Sequence, residues 1–344
     1  MSATAGGGGV GRVLKKLAKS METITKHTKC TTRYLKQKKF DDALELLHQG
    51  AKNMLEHDQL GSAEDLAQRM MDIYDSEGLK VDDKTRARVV DLFQDFPLRT
   101  EQCDQYVRMC LRWSAKHSAC PAGDPLMHHA FGSRYYKEVS VEKQYYDAEY
   151  HFIYGTTDSA KALGHMIWEW SGEGYFPDRG YFIARAVLQS LVLKKIHHAN
   201  ITFETFIKDL KANDPESKGI PLPFKPTDAS TPEVFLYKSS LINFTQFLLL
   251  CVQRKAVEQF TSLKNQYRSV VGFDSFLVHM VDKIGEVFFG LGPKKVSNPL
   301  EARNQYPRIR IGHDEITVRP TTVSTRSFVA AGANTGNGLA YCVY

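Results

Sequence analysis

Two His-x-x-Cys pairs, His27/Cys30 and His117/Cys120, are the arrangement in this chain closest to metal chemistry. On a helix, a three-residue spacing puts imidazole and thiolate on one face, where a zinc ion could take both. A structural zinc needs four ligands, and no spacing ties the two pairs together, so no metal site is expected. His128/His129 and His197/His198 are adjacent. Neighbours on a helix diverge by about 100°, which suits surface or packing roles better than ligation. Gly172-Glu173-Gly174 is half of a dinucleotide fingerprint, but it lies between helical stretches and its third glycine is absent. Gly290-Leu-Gly292-Pro-Lys294-Lys295 does not fit a GxxxxGK[ST] phosphate loop, and neither HExxH nor GxSxG occurs. The expectation is a protein with no cofactor that is not an enzyme. Asn200-Ile-Thr202 and Asn243-Phe-Thr245 match a glycosylation sequon, which carries no meaning in the reducing, cytosolic compartment expected for this chain.

What must position any functional surface is a rhythm of amphipathic helices. From Phe40 to Phe289 a new one starts roughly every 20 residues. Ala43, Leu44, Leu47, Ala51 and Leu55 form one face of the first strong helix. Ser62 is expected to cap the next (Ala63, Leu66, Met70, Ile73), which Gly78 ends. Asp82 or Asp83 caps a helix that stops at Phe96 before Pro97, and Thr100 caps one with Val107, Cys110, Leu111 and Ser114. Asp124-Pro125 is a cap followed by proline at the first helical position. Further starts are expected at Ser140, at Thr157 or Asp158, at Asp178 and at Asn200. Residues 213–231, with Pro215, Pro221, Pro223 and Pro226, are the one long break. Thr231-Pro232 restarts the pattern, and Leu277, Val281, Ile284 and Phe288 mark the final helix before Gly290. Helices of this length bury their apolar faces only by stacking on neighbours. The predicted fold is therefore all-α, a right-handed α-solenoid of stacked helical hairpins (TPR-like) over 12–292. Disordered termini are expected at 1–11, which is Gly-rich, and at 293–344, where helical periodicity is lost.

The chain has 344 residues and a net charge of +6, unevenly placed. Between Arg12 and Lys39 ten Lys/Arg face one acid, Glu22, so this stretch carries +9 and the remainder −3. A basic arm of this kind attracts acidic proteins, nucleic acid or anionic lipid. The six cysteines form no CxxC pair and are read as free thiols. The most apolar run, Leu241 to Val252, is too short to span a bilayer, which takes ~20 apolar residues. It is expected to be the most buried helix. Ser2 excludes myristoylation, and Cys342 stands third from the end where prenylation requires the fourth.

Several stretches share their order and spacing with one family. They are Lys39-Phe-Asp-Asp-Ala-Leu-Glu-Leu-Leu-His-Gln-Gly50, Ser62-Ala-Glu-Asp-Leu66, Leu111-Arg-Trp113-Ser114, Glu149-Tyr-His-Phe152, Ala184-Arg-Ala-Val-Leu-Gln189 and Leu191-Val-Leu-Lys194. Leu241-Ile-Asn-Phe244, Phe247-Leu-Leu-Leu250, Asn265-Gln-Tyr267, Asp282-Lys-Ile-Gly285 and Val287-Phe-Phe-Gly290 complete the set. Together they resemble the Golgi-to-ER traffic protein 4 family. Residues 12–38 lack the Gly-x-Tyr-Tyr-Glu-Ala-like run with which family members usually begin, and the tail from Lys294 does not resemble the family.

The resemblance implies an adaptor in delivery of tail-anchored membrane proteins to the endoplasmic reticulum, cytosolic and without stable membrane insertion. Its N-terminal half (12–155) would face a targeting ATPase, and its C-terminal half (156–292) a ubiquitin-like adaptor. The resemblance also allows a large BAG-type scaffold chaperone. The residues expected at the ATPase are Lys15, Lys16, Lys19, Arg33 and Lys36. Those expected at the ubiquitin-like adaptor are Leu241, Phe244, Phe247, Leu248, Cys251, Tyr267 and Phe288. The rival reading is an RNA-binding helical-repeat protein, supported by the +6 charge. Against it, the helix starts drift and the charge is confined to the N-terminus, so no nucleic-acid partner is expected.

Overall fold

Local start and stop signals set several of the helices in the computed structural model, which describes residues 29–138, 144–173, 179–214, 219–222 and 234–292, together with the backbone of 308–311 and 314–317. The helices are α1 (residues 29–36), α2 (Phe40–Glu56), α3 (Leu60–Ser76), α4 (Asp83–Asp95), α5 (Glu101–His117), α6 (Pro125–Lys137) and α7 (Tyr145–Tyr154). They continue as α8 (Thr157–Glu173), α9 (Arg179–Val192), α10 (Ile196–Asn213), α11 (Ser240–Arg254), α12 (Val257–Gln266), α13 (Arg268–Val271) and α14 (Ser275–Phe289). Asp82 and Thr85 form a reciprocal capping box on α4, Thr100 caps α5, and Asp124 caps α6 with Pro125 at the first turn, all as the sequence indicates. Gly290 closes α14 at φ 67°.

Several expected starts are displaced. Ser62 lies inside α3, whose N-cap is Gln59 without a side-chain bond. Packing of α3 on α2 and α5 supplies what a cap would have given. α8, by contrast, starts at Thr157 as expected, with Thr156 and Ser159 closing the cap: Thr156 N–H donates to Ser159 Oγ (2.9 Å) and Ser159 N–H to Thr156 Oγ1 (3.4 Å). Asn200 is interior to α10, which starts four residues earlier at Ile196 because Lys194 adopts φ 60° and turns the chain there. Ser140, Asp178 and Thr231-Pro232 lie outside the described residues. The helices expected from Ser140 and from Thr231-Pro232 begin at Tyr145 and, after a short strand, at Ser240, capped by Ser239.

Each helix packs on the next or the next but one. α2 meets α3 and α4, α6 meets α7 and α8, α8 meets α9 and α10, and α9 meets α10 and α11. That neighbour-only pattern is an α-solenoid. α14 turns back to pack on α9 and closes the C-terminal end. Among the described residues Tyr74, Phe93, Phe96, Tyr106, Phe131, Phe152, Phe206 and Phe244 are the largest fully buried side chains, and all belong to one hydrophobic core. Burying each contributes roughly 1.5–3 kcal/mol against exposure.

The break between α10 and α11 carries a small antiparallel ladder of β1 (Ile220–Pro221) and β2 (Phe235–Leu236). Residues 293–344 form a separate unit, of which only the antiparallel backbone pair β3 (Arg308–Ile311) and β4 (Asp314–Thr317) is described. The disorder expected at 1–11 and across the rest of 293–344 falls outside the described residues.

Candidate partner surfaces

The C-terminal surface is built on α11. Its sequence is apolar almost all round, so it sits in the core: Leu241, Phe244 and Leu248 are at most 2% exposed. Cys251 is also buried, and burial pushes its thiol pKa up. These four of the seven residues expected at a partner are packing residues. Phe247, Tyr267 and Phe288 are half-buried and pack against the same core. Tyr267 packs against Phe244 (5.6 Å between centroids), which ties the α12–α13 junction to α11.

Sequence reasoning missed the ladder beside α11. Tyr237 N–H donates to Asn243 Oδ1 (2.8 Å) and Asn243 Nδ2 donates to the Tyr237 carbonyl (2.9 Å). Gln246 Nε2 donates to the Phe235 carbonyl (2.8 Å), and the Phe235 N–H returns a longer bond to Gln246 Oε1 (3.4 Å). Lys211 Nζ lies 3.7 Å from the centre of the Phe235 ring. Gly219 turns the chain into β1 at φ 77°, and a Cβ there would lie 3.0 Å from the Tyr237 ring. Ile220 is left 74% exposed and Leu236 41%. The signal available in sequence was the pair of amides, Asn243 and Gln246, inside the most apolar helix. Buried amides demand partners.

At the other end, Arg33 and Lys36 are exposed on α1, with Lys29 exposed on the same helical face at spacings of four and three. Lys15, Lys16 and Lys19 lie outside the described residues. A cleft of ≈ 470 Å³ is lined by Lys38, Lys39, Lys80 and Lys84 together with Asp41, Asp42 and Asp82, and by the apolar Phe40, Leu44 and Leu79. Lys84 is held by Asp41 at 2.7 Å.

Polar straps fix the helices between these ends. Arg86 binds Asp124, and Arg134 donates to the carbonyls of Phe93 and Phe96 at the C-terminus of α4. Burial works against the charged form of Asp124, yet Arg86 and the Met127 amide hold its carboxyl below the usual range. Arg185 of α9 pairs with Glu149 of α7 at 2.7 Å, under Trp170 and Tyr146. Burial raises the Glu149 pKa against the pull of Arg185. His128 and His151 share a hydrogen bond (3.0 Å between Nδ1 atoms), and burial pushes His128 down to about 4 and His151 well below its ordinary value. His117 is engaged by Asp75 at 2.8 Å. Among the described residues no cluster of His, Cys, Asp or Glu could hold a metal ion, and no helix is long and apolar enough to cross a membrane.

These features define a helical-repeat protein of the α-solenoid class, with a basic edge at one end and an amide-anchored ladder on an apolar platform at the other. A family model described as Golgi to ER traffic protein 4 matches residues 37–302. Golgi to ER traffic protein 4 of Schizosaccharomyces pombe is 34% identical over 271 residues, 77% of this chain and 82% of that protein. The homolog from Oryzias latipes is 29% identical and covers 84% of each. Among solved structures, the crystal structure of C. therm. Get4 superposes with a TM-score of 0.72 at 27% identity, over 81% of this chain and 86% of that one. The chain belongs to the Golgi to ER traffic protein 4 family.

Proposed function

We propose that this protein is a non-catalytic, cytosolic adaptor in post-translational targeting of tail-anchored membrane proteins to the endoplasmic reticulum. Its family membership supports a role in ER targeting and protein transport. The finer reading is a bridge. The basic N-terminal edge receives an acidic surface of a targeting ATPase, and the C-terminal platform holds a ubiquitin-like adaptor, alone or with a BAG-type scaffold chaperone. Holding both raises their effective concentration without any covalent step. The observation that carries this reading is the separation of two chemically different edges on one solenoid: exposed Lys29, Arg33 and Lys36 on α1, and exposed Ile220 and Leu236 beside α11. Opposite charge steers the first contact, and apolar area anchors the second.

The test is co-expression with the host's ubiquitin-like adaptor, followed by size exclusion in high salt. A stable co-eluting complex is expected, weakened by Phe247→Asp. Leu248→Asp is uninformative, because Leu248 is fully buried and its charge would unfold the helix. ATPase binding should be salt-sensitive and weakened by Arg33→Glu with Lys36→Glu. A folded chain that ignores both proteins and instead binds RNA with steep salt dependence would overturn the reading.

A further inference from the structure

Residues 29–39 hold five Lys/Arg and no acid. Lys29, Arg33 and Lys36 are exposed along one face of α1, and exposed Lys38 and Lys39 follow at its end. Among the described residues none of the five has a carboxylate partner, whereas Lys84, which lines the same cleft as Lys38 and Lys39, is held by Asp41 at 2.7 Å. The opposite face of α1 is already occupied: Thr31 is fully buried and Leu35 packs against the core. α1 therefore turns positive charge outward and keeps its apolar side for the solenoid.

We propose that α1 and the basic sequence leading into it bind a membrane surface rich in anionic phospholipid. This goes beyond the adaptor reading and does not rest on it. Three observations favour lipid over other anions. Eight of the ten cations between Arg12 and Lys39 are lysines, compact point charges suited to a diffuse layer of headgroups, where arginine forks suit discrete phosphates. The sequence before α1 sets Leu14, Leu17, Met21 and Ile24 at spacings of three, four and three among Lys15, Lys16, Lys19 and Lys26. A bilayer takes both halves of such a basic amphipathic pattern, charge at the headgroups and apolar side chains below them, whereas RNA takes the charge alone. The arm carries +9 and the remainder −3, so an anionic surface draws in this end and repels the rest, which orients the chain. Each Lys or Arg held within a Debye length, about 8 Å, of an anionic bilayer strengthens binding about fivefold. The five exposed cations of residues 29–39 alone are then worth on the order of a thousandfold.

The experiment is flotation of the full chain with two vesicle types, phosphatidylcholine alone and phosphatidylcholine with phosphatidylserine in a two-to-one ratio. Binding is expected to the serine lipid vesicles, with none to phosphatidylcholine alone, and it should weaken as salt rises. R33E/K36E should weaken it about 25-fold or more with helix content unchanged, since both side chains are exposed. K15E/K16E/K19E should weaken it at least as much, and decides the matter if R33E/K36E does not fold. Equal flotation with both vesicle types, flotation with neither, or serine-lipid binding that survives both charge reversals would overturn the proposal. So would a polyuridine oligonucleotide that binds more tightly than the vesicles and strips the chain from them, which would assign the arm to nucleic acid. No ATPase or adaptor is present in the assay, so its outcome is separate from that of either protein contact.

Discussion

Arg86 grips Asp124 with two parallel hydrogen bonds, Nε to Oδ1 at 2.9 Å and the second guanidinium nitrogen to Oδ2 at 3.0 Å. The same carboxylate caps α6 through the Met127 amide at 2.9 Å, so one side chain starts a helix and ties it to α4. Asp124→Ala removes the cap and strands Arg86, and is expected to cost about 2–4 kcal/mol. Asp124→Asn keeps the cap and should lose roughly half of that. Urea denaturation of the two variants checks the order.

The His128–His151 pair makes stability fall in mild acid. Both rings are buried and neutral, and His128 titrates near 4 in the folded chain against 6.5 when unfolded. Because the folded value is the lower one, the unfolded chain takes up protons first as pH falls. Stability from this site is complete above about 6.5 and is lost between about 6.5 and 4, on the order of 2–4 kcal/mol for His128 alone. Unfolding midpoints measured across that window should fall steeply for the wild type and less steeply for His128→Gln.

Close approach of α8 and α10 at Gly164 gives a third expectation. A Cβ there would lie 2.6 Å from Thr205 Cβ and 2.8 Å from the Thr202 carbonyl oxygen, which is backbone and cannot swing away. Thr202 Oγ1 bonds the Ala160 carbonyl across the same contact at 3.1 Å. Gly164→Ala should therefore destabilise by about 1–3 kcal/mol, despite the ~1 kcal/mol helix-propensity gain of alanine. A thermal scan showing a higher midpoint would contradict this.

The periodicity of α3 to α5 was legible because each helix shows one apolar face and a terminal signal, Gly78, Asp82 and Thr100 respectively, whereas α2 was legible from its apolar face alone. Helix starts at Gln59 and Lys195 were not legible, since neither residue caps with its side chain and tertiary packing sets those ends. In α11, apolarity alone could not separate fully buried from partly exposed positions. The buried Leu241, Phe244, Leu248 and Cys251 and the half-exposed Phe247 belong to the same run of residue types. The anchoring of β2 was hidden because its partners are side chains of a helix rather than a strand, and no strand pattern predicts that.

Glu149 and Arg185 allow a last test that separates the value of a buried charge pair from the cost of breaking it. Both side chains are 6% exposed and 2.7 Å apart, and Arg185 lies 4.6 Å from the Trp170 ring centre. Glu149→Ala leaves the guanidinium buried with its principal partner gone, and an uncompensated charge in that position costs about 3–5 kcal/mol. Arg185→Met leaves the carboxylate instead, which escapes much of its penalty by taking up a proton, since burial already raises its pKa. The single variants should therefore differ, with Glu149→Ala the more damaging. Replacing both with Leu and Met removes two desolvation costs together, and is expected to lie within about 1–2 kcal/mol of the wild type. A double-mutant cycle by urea denaturation reads these values directly. Additive single losses would mean that the pair contributes no coupling, and that Trp170 and Tyr146 alone hold Arg185 in place.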